Sequence, residues 1–235
     1  MTQRVALVHT VANLEPVFAA LARELLPAGT EVAATVDEAL LGETIEAGRI
    51  QPGTARRLRG HIARALDAGN DLVLVTCSSV GPAVEQIAGA DGRPILRIDE
   101  AMADRALELG RRIGVIATLV TTLEPTAELI RRRAARLPKG TDEIEIVTHL
   151  CEGAFAALKA GDLERHDALV RAGLTALLPR VDVVVLAQAS MARVAEALPP
   201  QVAGDRPILS SPRLAMERVA ARLAELDAGA VSRGG

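Results

Sequence analysis

The chain is 235 residues long, carries a formal charge of −3, and is 49% apolar against 24% charged. That balance suits a packed core and excludes a disordered chain, and its weak acidity leaves no electrostatic footprint for a polyanion. With no Trp, no Tyr and two Phe, there are no platforms for stacked bases, so nucleic acid is not an expected partner. The apolar part of Met1–His9 is too short for a signal peptide. No segment approaches the roughly 18 apolar residues of a membrane span. Cys77 and Cys151 do not make a disulfide framework. A soluble cytoplasmic protein with free thiols and no membrane partner is expected.

Short runs rich in Val, Ile and Leu predict strands at 4–9, 31–36, 71–76 and 94–98, then at 112–117, 143–148, 181–187 and 207–210. Runs of this kind suit strands buried on both faces. Longer stretches of helical period separate them. One is residues 16–26, with Pro16 in a first turn where its missing N–H costs nothing. After the third strand the chain reads Thr76-Cys77-Ser78-Ser79, and Pro82 and Glu85 mark the first turn of the next helix. His61 and His166 fall in helical segments and read as solvated, as do Arg56-Arg57, Arg111-Arg112 and Arg131-Arg132-Arg133. Residues 228–235 read as a frayed tail.

The chain repeats itself. Arg4–Thr10 returns as Arg112–Thr118, Leu14-Glu15-Pro16 as Leu123-Glu124-Pro125, and Leu26–Thr30 as Leu137–Thr141. Asp71–Val75 returns as Asp182–Leu186, and Arg93-Pro94-Ile95-Leu96 returns unchanged at Arg206–Leu209. The matches keep their order at offsets of 108 to 113 residues. The fold class is therefore α/β, with two pseudo-symmetric lobes, each a four-stranded parallel sheet flanked by helices. The expected lobes are residues 1–97 with 210–235, and 98–209, because each fourth strand precedes a helix that can cross over. Ligands of open parallel sheets bind beyond the carboxyl ends of the strands, so the site is expected there, in an inter-lobe cleft.

The repeat pairs those ends: His9-Thr10 with Ala117-Thr118, Asp37-Glu38 near Cys151-Glu152, Cys77 with Gln188, and Arg97 with Ser210. Small hydroxyl residues crowd them: Thr10, Ser78, Ser79, Thr118, Thr121, Thr122, Ser190, Ser210 and Ser211. Such groups with helix N-terminal amides suit a small anion such as a carboxylate. No glycine-rich nucleotide motif is present. Cys77, before a helix, is expected to have its thiol pKa lowered toward neutrality and to act as acid, base or nucleophile; a packed small residue is the alternative. His9 is a candidate general acid, and Asn13 lies in the same polar loop as Thr10. His149, Cys151 and Glu152 could be read as metal ligands, but adjacent ligands without a distant pair argue against a metal. Asp37-Glu38 and Asp99-Glu100 follow strands and suit turn or capping roles.

In order, these segments resemble the aspartate/glutamate/hydantoin racemase superfamily, which also contains maleate isomerase and arylmalonate decarboxylase. The resemblance rests on Val75-Thr76-Cys77-Ser78-Ser79, Arg112–Thr118 and Val183–Ala192. It implies two α/β lobes, no cofactor, no metal, one cysteine per lobe on opposite faces of the substrate's α-carbon, and a homodimer by analogy. Cys77 matches the first cysteine. The second motif, Leu-Gly-Cys-Ala-Gly-Met-Ala in hydantoin-racemase-like members, reads Leu186-Ala187-Gln188-Ala189-Ser190-Met191-Ala192 here. Gln188 stands in the cysteine's place, and an amide is no Brønsted base. The acidic residue of the family's first loop is replaced by His9-Thr10.

Three readings follow. One is a racemase or other isomerase whose second acid is His9, His149 or Glu152. Another is a one-thiol decarboxylase, in which Gln188 hydrogen-bonds a carboxylate or enediolate oxygen. The third is a non-catalytic binder of a small carboxylate. In all three, Thr10, Asn13, Ser78, Ser79, Thr118, Thr121, Thr122, Ser190 and the N–H of Ala189 would hold the carboxylate.

Overall fold

The computed structural model describes residues 2–138 and 143–231. The second copy of the Leu-Pro-x-Gly-Thr repeat runs into residues 139–141, and the predicted tail into 232–235; both lie outside the described residues. Two compact units emerge. One runs to Ile98 and resumes at Pro212; the other is Asp99–Ser211.

The first unit contains β1 (Arg4–His9), α1 (Glu15–Leu25), β2 (Glu31–Val36), α2 (Ala39–Glu46), α3 (Pro52–Asp67), β3 (Leu72–Val75), α4 (Gly81–Asp91) and β4 (Ile95–Arg97). The second contains α5 (Glu100–Leu109), β5 (Arg112–Ala117), α6 (Val120–Ala134), β6 (Glu145–Leu150), α7 (Ala154–Lys159), α8 (Leu163–Leu177), β7 (Val183–Leu186), α9 (Ala192–Glu196), α10 (Pro200–Ala203) and β8 (Ile208–Ser210). Helix α11 (Ser211–Val231) returns the chain to the first unit. Both sheets are parallel and four-stranded, ordered β2-β1-β3-β4 and β6-β5-β7-β8. This is the fold class expected from the repeat.

Each sheet is built on two central strands that bury both faces. In the first unit, Ala6, Val8, Val73 and Val75 pack under Leu58 and Ile62 of α3 and Val84 and Ile87 of α4. Val5, Leu7, Leu72 and Leu74 pack on the other face under Phe18 of α1 and Met216, Val219 and Leu223 of α11. In the second unit Ile116, Val184 and Leu186 meet Val170, Leu174 and Leu177 of α8. An aspartate latches each sheet in the same way. The Asp71 carboxylate accepts the Arg4 N–H at 2.8 Å, and that of Asp182 accepts the N–H groups of Arg111 and Arg112 at 3.0 and 2.8 Å. The amides of Arg112 and Arg111 hold the Asp182 carboxyl below the usual carboxylate range.

Several expectations are corrected. Side chains of β2 are exposed along the whole strand, and those of β6 are partly so, because the sheet order puts both at edges. β6 starts at Glu145, not 143, so His149 lies within the strand rather than after it. Residues 228–231 are not a frayed tail but continue α11. His166 is fully buried, bonded at Nδ1 to Asp167, and His61 is half-buried against Asp37 at 2.7 Å; each lies on the inward side of its helix. Arg133 folds back onto Glu100 and Asp104 instead of into solvent, and Arg111 donates to the Leu107 carbonyl ending α5.

Gly114 lies in the central strand of the second sheet, where an added Cβ would sit 2.9 Å from Leu177 Cδ2 and 3.1 Å from Val181 Cγ2. Gly114→Ala is expected to cost about 1–3 kcal/mol by overpacking. Equilibrium urea unfolding measures it.

Candidate active site

The strand registers fix what stands at each carboxyl edge. Val75 pairs with Val8 and with Arg97, so the chain leaves β3 at Thr76 beside the end of β1. Cys77 keeps an extended backbone at φ −143° and ψ 118°, and a single 3-10 turn, Ser78–Val80, then leads into α4. The extended residue and the tight turn after it aim N–H groups back at the side chain. The Thr10 and Ser79 side chains and the Ser79 and Val80 backbone N–H groups lie on the sulfur's side of the turn and favour its thiolate form. Cys77 itself is only 9% exposed and packs with Val8, Val75, Leu40 and Val80.

These influences oppose each other. Burial pushes the Cys77 thiol up and is the largest effect; Thr10, Val80 and Ser79 pull it down by favouring the thiolate. The net direction is upward, which corrects the expectation of a thiol lowered toward neutrality. The resting group is a protonated thiol, set among donors already placed for the anion.

Ser78, Ser79 and Thr10 are buried around this group. Asn13 is exposed in the 3-10 turn Ala12–Leu14. His9 is separated from Cys77 by the sheet. Alternation along β1 puts its ring with Phe18, centroid to centroid 5.5 Å, on the α1 face, whereas Cys77 packs on the α3 face. Its Nδ1 lies 2.8 Å from Thr76 Oγ1, and that hydroxyl donates to the Val8 carbonyl at 3.2 Å. Nε2 is buried without a partner among the described residues.

In the second unit Ile116 pairs with Leu186, so Ala187, Gln188 and the 3-10 turn Ala189–Met191 repeat the path of Thr76, Cys77 and Ser78–Val80. Gln188 has φ −135° and ψ 135°, close to Cys77. Thr118 corresponds to Thr10, and its contact is also repeated: its N–H and hydroxyl donate to Gln188 Oε1 at 2.6 and 2.9 Å. Two donors on one oxygen settle which way the amide points, so the half-buried Gln188 presents its NH2 as donor. Ala189 and Ser190 are half-buried in the turn. Thr122 is buried in the first turn of α6, where Thr121 Oγ1 is buried with no hydrogen-bond partner among the described residues.

At the end of β6, His149 and Cys151 both press on α8. A Cβ on Gly173 would lie 2.8 Å from Cys151 Sγ and 2.8 Å from His149 Nε2. Burial raises the Cys151 thiol to about 11 with no donor set to offset it. Glu152 is exposed. Asp99 is buried at the start of α5, with Thr126 Oγ1 3.4 Å from its carboxylate. Among the described residues, no group of three or more His, Cys, Asp or Glu could hold a metal.

Sequence reading passed over Gly81 and gave Arg97 no role beyond its pairing with Ser210. Arg97 is 1% exposed, and its guanidinium carbon lies 2.4 Å from where a Gly81 Cβ would be. A charged residue within the apolar run Ile95-Leu96-Arg97-Ile98 was the available signal.

The Asp/Glu/hydantoin racemase family model matches residues 4–219. No curated protein matches the chain in sequence. Among solved structures, the glutamate racemase of Francisella tularensis, in complex with D-glutamate, superposes with a TM-score of 0.71 at 14% identity, over 96% of this chain and 82% of its own. The allantoin racemase of Pseudomonas fluorescens gives 0.61 at 20% identity, over 96% and 92%. The aspartate racemase of Picrophilus torridus gives 0.63 at 12%, over 93% and 94%.

Burial holds the His9 pKa below the ordinary imidazole value of 6.5, with Glu15 opposing weakly. The unfolded chain therefore binds a proton that the folded chain refuses. The stability this contributes is present above pH 6.5 and is lost as pH falls below it, down to the folded-state value. His9→Phe should flatten that part of the profile, as read from urea midpoints at successive pH values.

Proposed function

The chain belongs to the Asp/Glu/hydantoin racemase family, and we propose that it is a cofactor-independent isomerase acting at the carbon next to a small carboxylate, with Cys77 as its proton-handling group. One observation carries this reading: a sulfur buried at a strand's carboxyl end, where Thr10, Ser79 and Val80 favour its anion. A thiol in that setting can give up a proton because its anion has partners waiting. It can also return one, because burial favours the neutral form. The carboxylate would be held by Ser78, Ser79, Thr10, Asn13, Thr118, Thr121, Thr122, Ser190 and the Ala189 N–H. The Gln188 amide would donate to a substrate oxygen.

Racemisation requires a proton acid on each face of the carbon. His9 is in another layer of its unit, which leaves His149 and Glu152 for the second role. A second reading, decarboxylation, is favoured by Gln188. Loss of carbon dioxide generates the carbanion without a base, so one thiol suffices, and an amide donor stabilises the enediolate oxygen.

Incubation in D2O with a panel of α-substituted acids, diacids and malonates separates the readings. Deuterium at the α-carbon with change of configuration supports the isomerase. Carbon dioxide release supports the lyase. Neither, in a chain that still binds an acid, removes both. Cys77→Ser is expected to slow turnover by about 10²–10⁴. Thr118→Val, which removes one of the two donors to the Gln188 carbonyl, is expected to slow it roughly tenfold or less.

A further inference from the structure

Arg97 has an unusual position. Its side chain is 0% exposed, and its Nη1 lies 3.3 Å from Glu85 Oε1, whose own side chain is 32% exposed. It lies against Gly81, the residue that opens α4, and a helix N-terminus disfavours a nearby cation. A buried guanidinium there is costly unless it is paired and hydrogen-bonded. Three of its atoms, Cζ, Nη2 and Nε, lie at 2.4, 2.4 and 2.7 Å from the site of a Gly81 Cβ. The flat group therefore rests on the Gly81 backbone, and any side chain in Gly81's place would displace it.

The repeat supplies an internal control. Val75 pairs with Arg97 and Leu186 with Ser210, so Ser210 holds Arg97's place in the second unit. Ala192, which opens α9 after the turn Ala189–Met191, holds the place of Gly81. The half with the donor-ringed thiol has the Arg–Gly contact. The half with glutamine has Ser and Ala, which need no such fit.

We propose that Arg97 is a positioning residue for Cys77: its guanidinium, pressed on Gly81 and tied to Glu85, fixes the Ser78–Gly81 turn so that the Ser79 and Val80 N–H groups converge on the sulfur. The proposal rests on reading Cys77 as the proton-handling group. Arg97 acts through the turn's backbone and does not touch the sulfur. Planarity is what matters, so lysine, a point charge on a flexible stem, would not replace it.

The test needs no substrate. Iodoacetamide alkylation is followed against pH, with peptide mass spectrometry to separate Cys77 from Cys151. In Arg97→Lys, Arg97→Met and Gly81→Ala, the Cys77 midpoint is expected to move to higher pH. At a fixed pH below the midpoint, a rise of about one in that midpoint lowers the rate roughly tenfold. The Cys151 profile should not change. Glu85→Gln, at a half-exposed position, should give the same direction with a smaller displacement, and it carries the test where Arg97→Met does not fold. An unchanged Cys77 midpoint in folded variants overturns the proposal. So does a lower midpoint with faster alkylation at every pH, since that reports mere loss of packing over the sulfur. A raised midpoint in a protein that exchanges no α-proton keeps the positioning role and sinks the proposed function; proton exchange with unchanged midpoints in the variants does the reverse.

Discussion

A sulfur held out of water, with hydrogen-bond donors aimed at it, is the constraint around which the first unit is arranged. Water would stabilise a thiolate without any structure. Once Leu40, Val8, Val75 and Val80 exclude it, the anion can form only if the protein supplies replacements. Those replacements, the Ser79 and Val80 amides and the Thr10 and Ser79 hydroxyls, come from two neighbouring strand ends and one turn. The register of β1 with β3 brings Thr10 beside Cys77, and the turn into α4 supplies the amides. Burial still prevails, so the neutral thiol is the favoured form.

The same frame is used twice, with different chemistry at its ends. Thr10 donates to a sulfur; Thr118, at the corresponding position, donates to an amide oxygen. Asp37 and Cys151 are each the first residue past an edge strand, their N–H groups bonded to His9 and Ala117 carbonyls. Asp37 reaches His61 of α3 through a 2.7 Å contact, and Arg64 donates to the far side of that ring at 2.9 Å. Cys151 instead presses on Gly173 of α8. One half ties its edge strand to a helix with charge, the other with close packing. The backbone path survives both solutions because strand pairing, not the end residues, determines it.

The fold was legible because parallel strands buried on both faces leave unmistakable apolar runs, and because two copies of them recur in order. Edges were less legible: Val32 and Val36 of β2 read as core, yet the sheet order leaves them 39% and 36% exposed. Cys77 was legible as a strand-end residue before a helix. Its donors were not, since they depend on φ and ψ in the turn and on Thr10, which lies on a different strand end far away in sequence. The direction of its pKa was misread for the same reason: a helix N-terminus is visible in sequence, whereas the depth of burial over it is not. His61 and His166 show the limit of helical pattern alone, because a histidine on an inward face looks no different in sequence from one in solvent.

Gln188 sets the strand end of the second unit apart from that of the first. Its side chain can neither accept nor yield a proton, yet it is held more firmly than a spectator residue needs to be. The Thr118 amide and hydroxyl both take its carbonyl oxygen, and this leaves a fixed pair of N–H donors. A fixed donor favours an oxygen that gains negative charge during reaction, because nothing has to reorient as the charge appears. A thiol in the same place would offer a proton instead. The two strand ends thus differ in kind: one presents a fixed pair of N–H donors, the other a buried sulfur.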